Sequence, residues 1–81
     1  MTKKILVVPV DKKVEGLRMA AGLTLLDDRV RIGVWGELPT GAETDEQIEA
    51  LEFSEVPIEQ LGTDVDRLAR EIVDSEVVYF V

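Results

Sequence analysis

Apolar residues along this chain follow two rhythms in turn: short runs or period-two alternations, and longer stretches with apolar positions three and four apart. Ile5-Leu6-Val7-Val8 is a continuous aliphatic run between Lys3-Lys4 and Pro9, the pattern of a strand buried on both faces. Pro9 has no amide to give an interior ladder, so it marks the carboxyl end of that strand and opens a turn through Val10, Asp11, Lys12 and Lys13. From Val14 to Asp27, Leu17, Ala20, Ala21 and Leu25 fall at helical spacing, with Met19, Leu23 and Leu26 widening the stripe. This predicts a mostly buried helix closed by Asp27-Asp28, in which Gly22 marks close approach to the sheet beneath.

Arg29 to Trp35 alternates Val30, Ile32 and Val34 with Arg31 and Gly33, which predicts a strand with one polar face, near a sheet edge. Gly36, Pro39 and Gly41 make the next stretch a loop. Thr44 with Gln47 matches a capping box ahead of a short helix over Asp45 to Leu51. Phe53 and Val56 suggest a short strand that Pro57 breaks, giving an edge or irregular element. Thr63 caps a further helix, whose residues Val65, Leu68, Ala69, Ile72 and Val73 share one face while Asp66, Arg67, Arg70, Glu71 and Asp74 point outward. It leads into Val77-Val78-Tyr79-Phe80-Val81, a second continuous apolar run and an expected buried strand.

The order of elements predicts one α/β domain over residues 1–81, with right-handed crossovers and a mostly parallel sheet of about four strands. Two substantial helices and one short one leave part of a sheet face uncovered, which predicts an oligomer interface. At 81 residues the core is small, and with no cysteine no disulfide adds to it, so a partner subunit is the remaining supplement.

Composition removes whole classes of chemistry. The chain has neither cysteine nor histidine, which excludes thiol nucleophiles, persulfide carriage, imidazole acid/base work and the usual zinc ligands. A net charge of -8 repels nucleic-acid phosphates and anionic lipid heads. No apolar run approaches the length of a membrane span, so the expectation is a cytoplasmic protein with no nucleic-acid and no membrane partner.

Ligands of open parallel sheets bind beyond the strands' carboxyl ends, which makes Asp11, Lys12 and Trp35 the candidate ligand-binding residues. The competing reading is ordinary turn chemistry and an aromatic sealing the sheet edge. The acidic series Glu43, Asp45, Glu46, Glu49, Glu52, Glu55 and Glu59 lacks the spacing of a cation loop and reads as a solvated face, so no metal is expected. No phosphate-loop glycine motif is present, and no cofactor or catalytic group is expected.

Two stretches resemble the DsrE/DsrF/DsrH family of small sulfur-relay proteins, which includes the TusBCD subunits. From Lys4 to Gly36, ILVVPV, EGLRMAAGLTLL and DDRVRIGVWGE are similar to the family's first strand, Ala-rich helix and second strand with its Gly turn. From Gly62 to Val81, GTDVDRLAREIVDSEVVYFV is similar to its closing helix and strand. The resemblance implies a small flavodoxin-like three-layer fold and a homo-oligomer, or a hetero-oligomer with related subunits. Some members of that family carry sulfur on a cysteine between the two matching stretches. Here that region, Phe53 to Leu61, has none, so the chain resembles a cysteine-free, non-catalytic structural or partner subunit. A second resemblance competes: KKILVVPVD is similar to the first strand and following Asp of universal stress proteins, which bind adenine nucleotides and would place Asp11 by the base. That family's glycine-rich phosphate loop has no counterpart here, where Asp64 to Ser75 reads as helical.

Overall fold

A computed structural model describes residues 3–26 and 29–81. The elements in chain order are β1 (Lys4–Val8), α1 (Lys13–Leu23) with a 3-10 turn over Thr24–Leu26, β2 (Arg29–Trp35), α2 (Ala42–Phe53), β3 (Ile58–Gly62), α3 (Val65–Val73) and β4 (Val77–Phe80). All four strands are parallel neighbours in one sheet of order β3-β2-β1-β4. The α/β class and the mostly parallel sheet are those expected, and the layered arrangement is compatible with a small flavodoxin-like domain. The strand order is also that of the first four strands of a dinucleotide-binding sheet.

The path of the chain decides which helix covers which face. Going from β1 to β2 to β3 the chain moves in one direction, so right-handed crossovers put α1 and α2 on the same side. It then returns across β2 and β1 to reach β4, which puts α3 on the other side. Under α1 and α2, the inward residues Ile5, Val7, Val30, Ile32 and Val34 form one cluster with Leu17, Ala20, Leu51 and Val56. Under α3 lie Leu6 and Val8, with Arg31 and Gly33 from β2 and Leu61 from a bulge in β3. Gly33 is needed there: a Cβ at that position would stand 2.9 Å from Leu61 Cδ1. Leu68 and Ile72 are the half-buried apolar residues of α3, and none of its residues is fully buried.

Several expectations are corrected. β2 has the predicted bounds but is an interior strand, because its polar face meets α3 rather than water. Arg31 Nη1 lies 2.5 Å from Glu71 Oε2 and 3.5 Å from Asp74 Oδ2, and Arg31 Nη2 donates to Ser75 Oγ at 3.0 Å. The second helix begins at Ala42 after Gly41, so Thr44 is a buried residue within it and caps nothing. It also runs on through Phe53, and its end explains Val56. Val56 N–H donates to Leu51 C=O and Glu55 N–H to Glu52 C=O while Glu55 takes a left-handed φ of 60°, which is a Schellman ending with its apolar pair, Leu51 and Val56, in the core. Pro57 precedes β3 instead of breaking a strand.

Asp64, not Thr63, caps α3: its Oδ1 accepts from Arg67 N–H at 3.1 Å. Gly22 is exposed with nothing within 4 Å of a hypothetical Cβ, whereas Gly16 is the close approach on α1, with Pro9 Cγ 2.9 Å away. Leu25, expected inside, is exposed. The closure of the first helix at Asp27-Asp28 falls outside the described residues. Finally β4, expected to be buried, is an edge strand with Tyr79 and Phe80 exposed.

Candidate functional site

The carboxyl ends of β1, β2 and β4 are tied together by main chain. Pro9, whose ring cannot donate, offers its C=O to Trp35 N–H at 3.2 Å. The next two amides, of Val10 and Asp11, both donate to Val81 C=O, at 2.8 and 3.0 Å. Gly16 then lets α1 begin directly against Pro9. The turn is therefore braced from both flanks by the chain itself.

Beyond this turn lies an open concavity of about 690 Å³. Asp11, Lys12 and Lys13 form one wall, with Glu37 and Leu38 of the β2–α2 loop opposite. Lys13 Nζ donates to Glu37 C=O at 2.6 Å and so holds that loop to the start of α1. Gly36 makes this possible, since its φ of 78° favours glycine and Lys13 Nζ passes 3.0 Å from where a Cβ would be. Of the two lysines, one is thus committed to the fold. Around them stand the carboxylates Asp11, Glu15, Glu37 and Glu43, with Glu43 3.8 Å from Arg18. The balance of charge is acidic, which disfavours a phosphate.

The three residues singled out from sequence are not brought to one place. Asp11 and Lys12 are exposed and line the concavity. Trp35 is not part of its lining. Because Val34 points into the α1/α2 core, Trp35 follows on the α3 side of the sheet, half-buried and paired in register with Gly62. Among the described residues no cluster of three acidic side chains has the closeness of a cation site, and the carboxylates of α2 are spread along its exposed face.

A feature that sequence reasoning missed lies on the α3 side. Relative to Leu68 and Ile72, which rest on the sheet, Arg67, Glu71 and Asp74 turn towards β2 and β3, and Val65, Ala69 and Val73 turn towards β4. Val65 is 64%, Val73 85% and Phe80 60% exposed, so an apolar strip runs along α3 and over the adjoining face of β4, while Tyr79, 41% exposed, stands at the same edge on the α1 side. The signal was present in the length of the apolar face of α3, which carries more apolar positions than one strand pair covers. No helix among the described residues is long and apolar enough to cross a membrane. No protein-family model, curated protein or solved structure matches the chain, and the resemblance to DsrE-like proteins therefore stands on the two stretches of sequence alone.

Proposed function

We propose that this chain is a non-catalytic, DsrE-like subunit, structural or partner-binding, of a cytoplasmic oligomeric assembly related to sulfur relay. The observation that supports assembly is the exposed apolar surface at the open edge of β4, with Val65, Val73 and Phe80 on the α3 side and Tyr79 on the α1 side. The sulfur-relay part of the proposal rests on the sequence resemblance. The region Phe53 to Leu61, where that family keeps its sulfur-carrying cysteine, forms the end of α2, the Schellman turn and most of β3, and holds no thiol. A partner would then supply the reactive sulfur.

Tagged full-length chain, expressed in its native cells and recovered with its partners, tests this. Co-purification of cysteine-bearing related subunits in a fixed ratio is the expected result. A chain that is monomeric at micromolar concentration by light scattering and retains no such partner would sink the proposal.

The nucleotide-binding alternative meets two physical obstacles. The Val10 and Asp11 amides, which a phosphate at the end of β1 would need, are already used by Val81 C=O, and Trp35 lies on the opposite face from Asp11. Calorimetric titration with adenine nucleotides is expected to give no heat of binding. Tight binding that Asp11→Ala removes would instead establish the alternative.

A further inference from the structure

We infer that a second copy of this chain pairs with the open edge of β4, antiparallel about a two-fold axis through Tyr79, joining two four-stranded sheets into one of eight. This inference rests on the assembly reading above and names its surface and its partner.

The main-chain pattern of β4 is the first support. Val81 N–H donates to Val8 C=O, and Val8 is in register with Phe80, so the odd-numbered residues of this strand turn their hydrogen-bonding groups inward to β1. Val78 and Phe80 accordingly turn theirs to the outer edge. Exposed edges in monomeric proteins are usually blunted by a charge, a proline or a bulge. Residues 77–81, Val-Val-Tyr-Phe-Val, contain no charge and no proline, and their pairing with β1 is regular. An antiparallel copy placed so that Val78 faces Phe80 uses every outward donor and acceptor of both residues on both chains. Tyr79 then lies opposite Tyr79 of the second copy in a non-hydrogen-bonded pair. A match of this kind is self-complementary, and a two-fold pairing closes on itself without growing into a fibre.

Side chains are the second support. Opposed residues of an antiparallel pair share a face, so Val78 and Phe80 of each copy meet on the α3 side and the two Tyr79 rings meet on the α1 side. A two-fold axis normal to the sheet keeps both α3 helices on one face, with their Val65, Ala69 and Val73 stripes turned towards the junction from either flank. The exposed parts of Val65, Val73, Tyr79 and Phe80 amount to about 400 Å² of surface per chain at ordinary side-chain areas. That is half of the about 800 Å² per partner in a standard interface, before the main-chain edge is counted. Neither the strand nor the stripe carries a charged side chain, so the charge of -8 opposes pairing only through longer-range repulsion that salt screens.

The absence of native cysteine makes the test clean. Cα atoms of a non-hydrogen-bonded pair stand about 4.5 Å apart, within the range of about 4.4–6.8 Å that a disulfide spans. Tyr79→Cys is expected to give a disulfide-linked dimer under mild oxidation, with Val78→Cys and Phe80→Cys cross-linking at least tenfold less. Val78→Pro removes an outward N–H while leaving the inner ladder intact, and is expected to weaken the dimer at least tenfold in sedimentation equilibrium with an unchanged circular dichroism spectrum. A dimer that survives Val78→Pro, or that Tyr79→Cys fails to lock, overturns this surface and leaves the assembly reading standing. A wild-type chain that stays monomeric at about 100 μM overturns the second copy as partner. In that case, co-purification of a cysteine-bearing related subunit, lost in Val78→Pro, would keep the assembly reading and assign the edge to a foreign strand.

Discussion

The two faces of the sheet are held in different ways. On one, α1 and α2 close over nine buried residues that form a single apolar cluster, so that layer is secured by area removed from water. On the other, α3 covers Leu6, Val8 and Leu61 but has no fully buried residue of its own, and it is oriented by ion pairs, Arg31 with Glu71 and Asp74, and Arg67 with Glu59. Apolar burial is indifferent to direction, whereas a guanidinium reaching from the sheet to a carboxylate fixes where the helix lies. The consequence is a helix anchored along its β2/β3 flank and bare along its β4 flank. The well-packed face carries stability, and the sparsely packed one presents surface.

Truncation should separate the two faces most strongly. Leu17 is fully buried, and Leu17→Ala is expected to cost about 3 kcal/mol in urea denaturation, from lost burial and the cavity left behind. Ile72→Ala on the half-buried face of α3 is expected to cost about 1 kcal/mol, because the site is already partly hydrated. Equal costs would mean that α3 packs as firmly as α1, and the contrast between the faces would fail.

The next largest effect concerns the ion pairs. The Arg31 and Glu71 side chains are only 28% and 22% exposed, so this pair lies between the surface and buried regimes. Arg31→Met keeps the stem that packs on the sheet but strands Glu71, and is expected to destabilise by about 1–2 kcal/mol. The double variant Arg31→Met with Glu71→Leu should recover most of that loss. If Arg31→Met is neutral, the orientation of α3 must come from Leu68 and Ile72 instead.

A gain is expected on the well-packed face. Glu55 has a left-handed φ of 60° at the end of α2, a conformation that costs a residue with a Cβ about 1–2 kcal/mol. Glu55→Gly is expected to raise stability by about 0.5–1 kcal/mol, the balance after glycine's greater freedom in the unfolded chain. A loss in the melting experiment would show that the Glu55 side chain has a favourable role in the turn that outweighs its backbone strain.

Sequence carried much of this architecture, for reasons visible in single residues. Ile5 to Val8 and the Val30, Ile32, Val34 alternation defined β1 and β2 because burial and period are local properties. The same alternation puts Trp35 on the face opposite Val34, and so on the α3 side, away from the concavity that Asp11 lines. What a polar face meets is not local. Arg31 looked like the mark of an edge because the carboxylates that receive it lie forty residues on in α3. The Thr44 and Gln47 spacing resembled a cap, yet the helix starts earlier at Ala42, and Thr44 faces the interior. For β4, a continuous apolar run revealed two apolar faces but not the missing neighbour on its outer side.

The smallest expected effect tests the ionic side of the contrast through pH. The hydrogen bond from the Arg67 side chain holds the Glu59 carboxyl below its ordinary value, with the Arg67 charge acting in the same direction. The folded state therefore releases that proton more readily than the unfolded chain, whose Glu titrates near about 4.3. Stability from this contact is fully present above that value and is lost as the pH falls through the depressed folded pKa. Both side chains are more than a third exposed, 40% for Arg67 and 45% for Glu59, so solvent screening keeps the contribution small. Glu59→Gln is expected to leave the acid limb of the stability curve slightly shallower below about pH 4, while Leu17→Ala lowers the whole curve without changing its slope. An unchanged acid limb in Glu59→Gln would assign the pH dependence to other carboxylates and would leave Arg31 as the residue that orients α3.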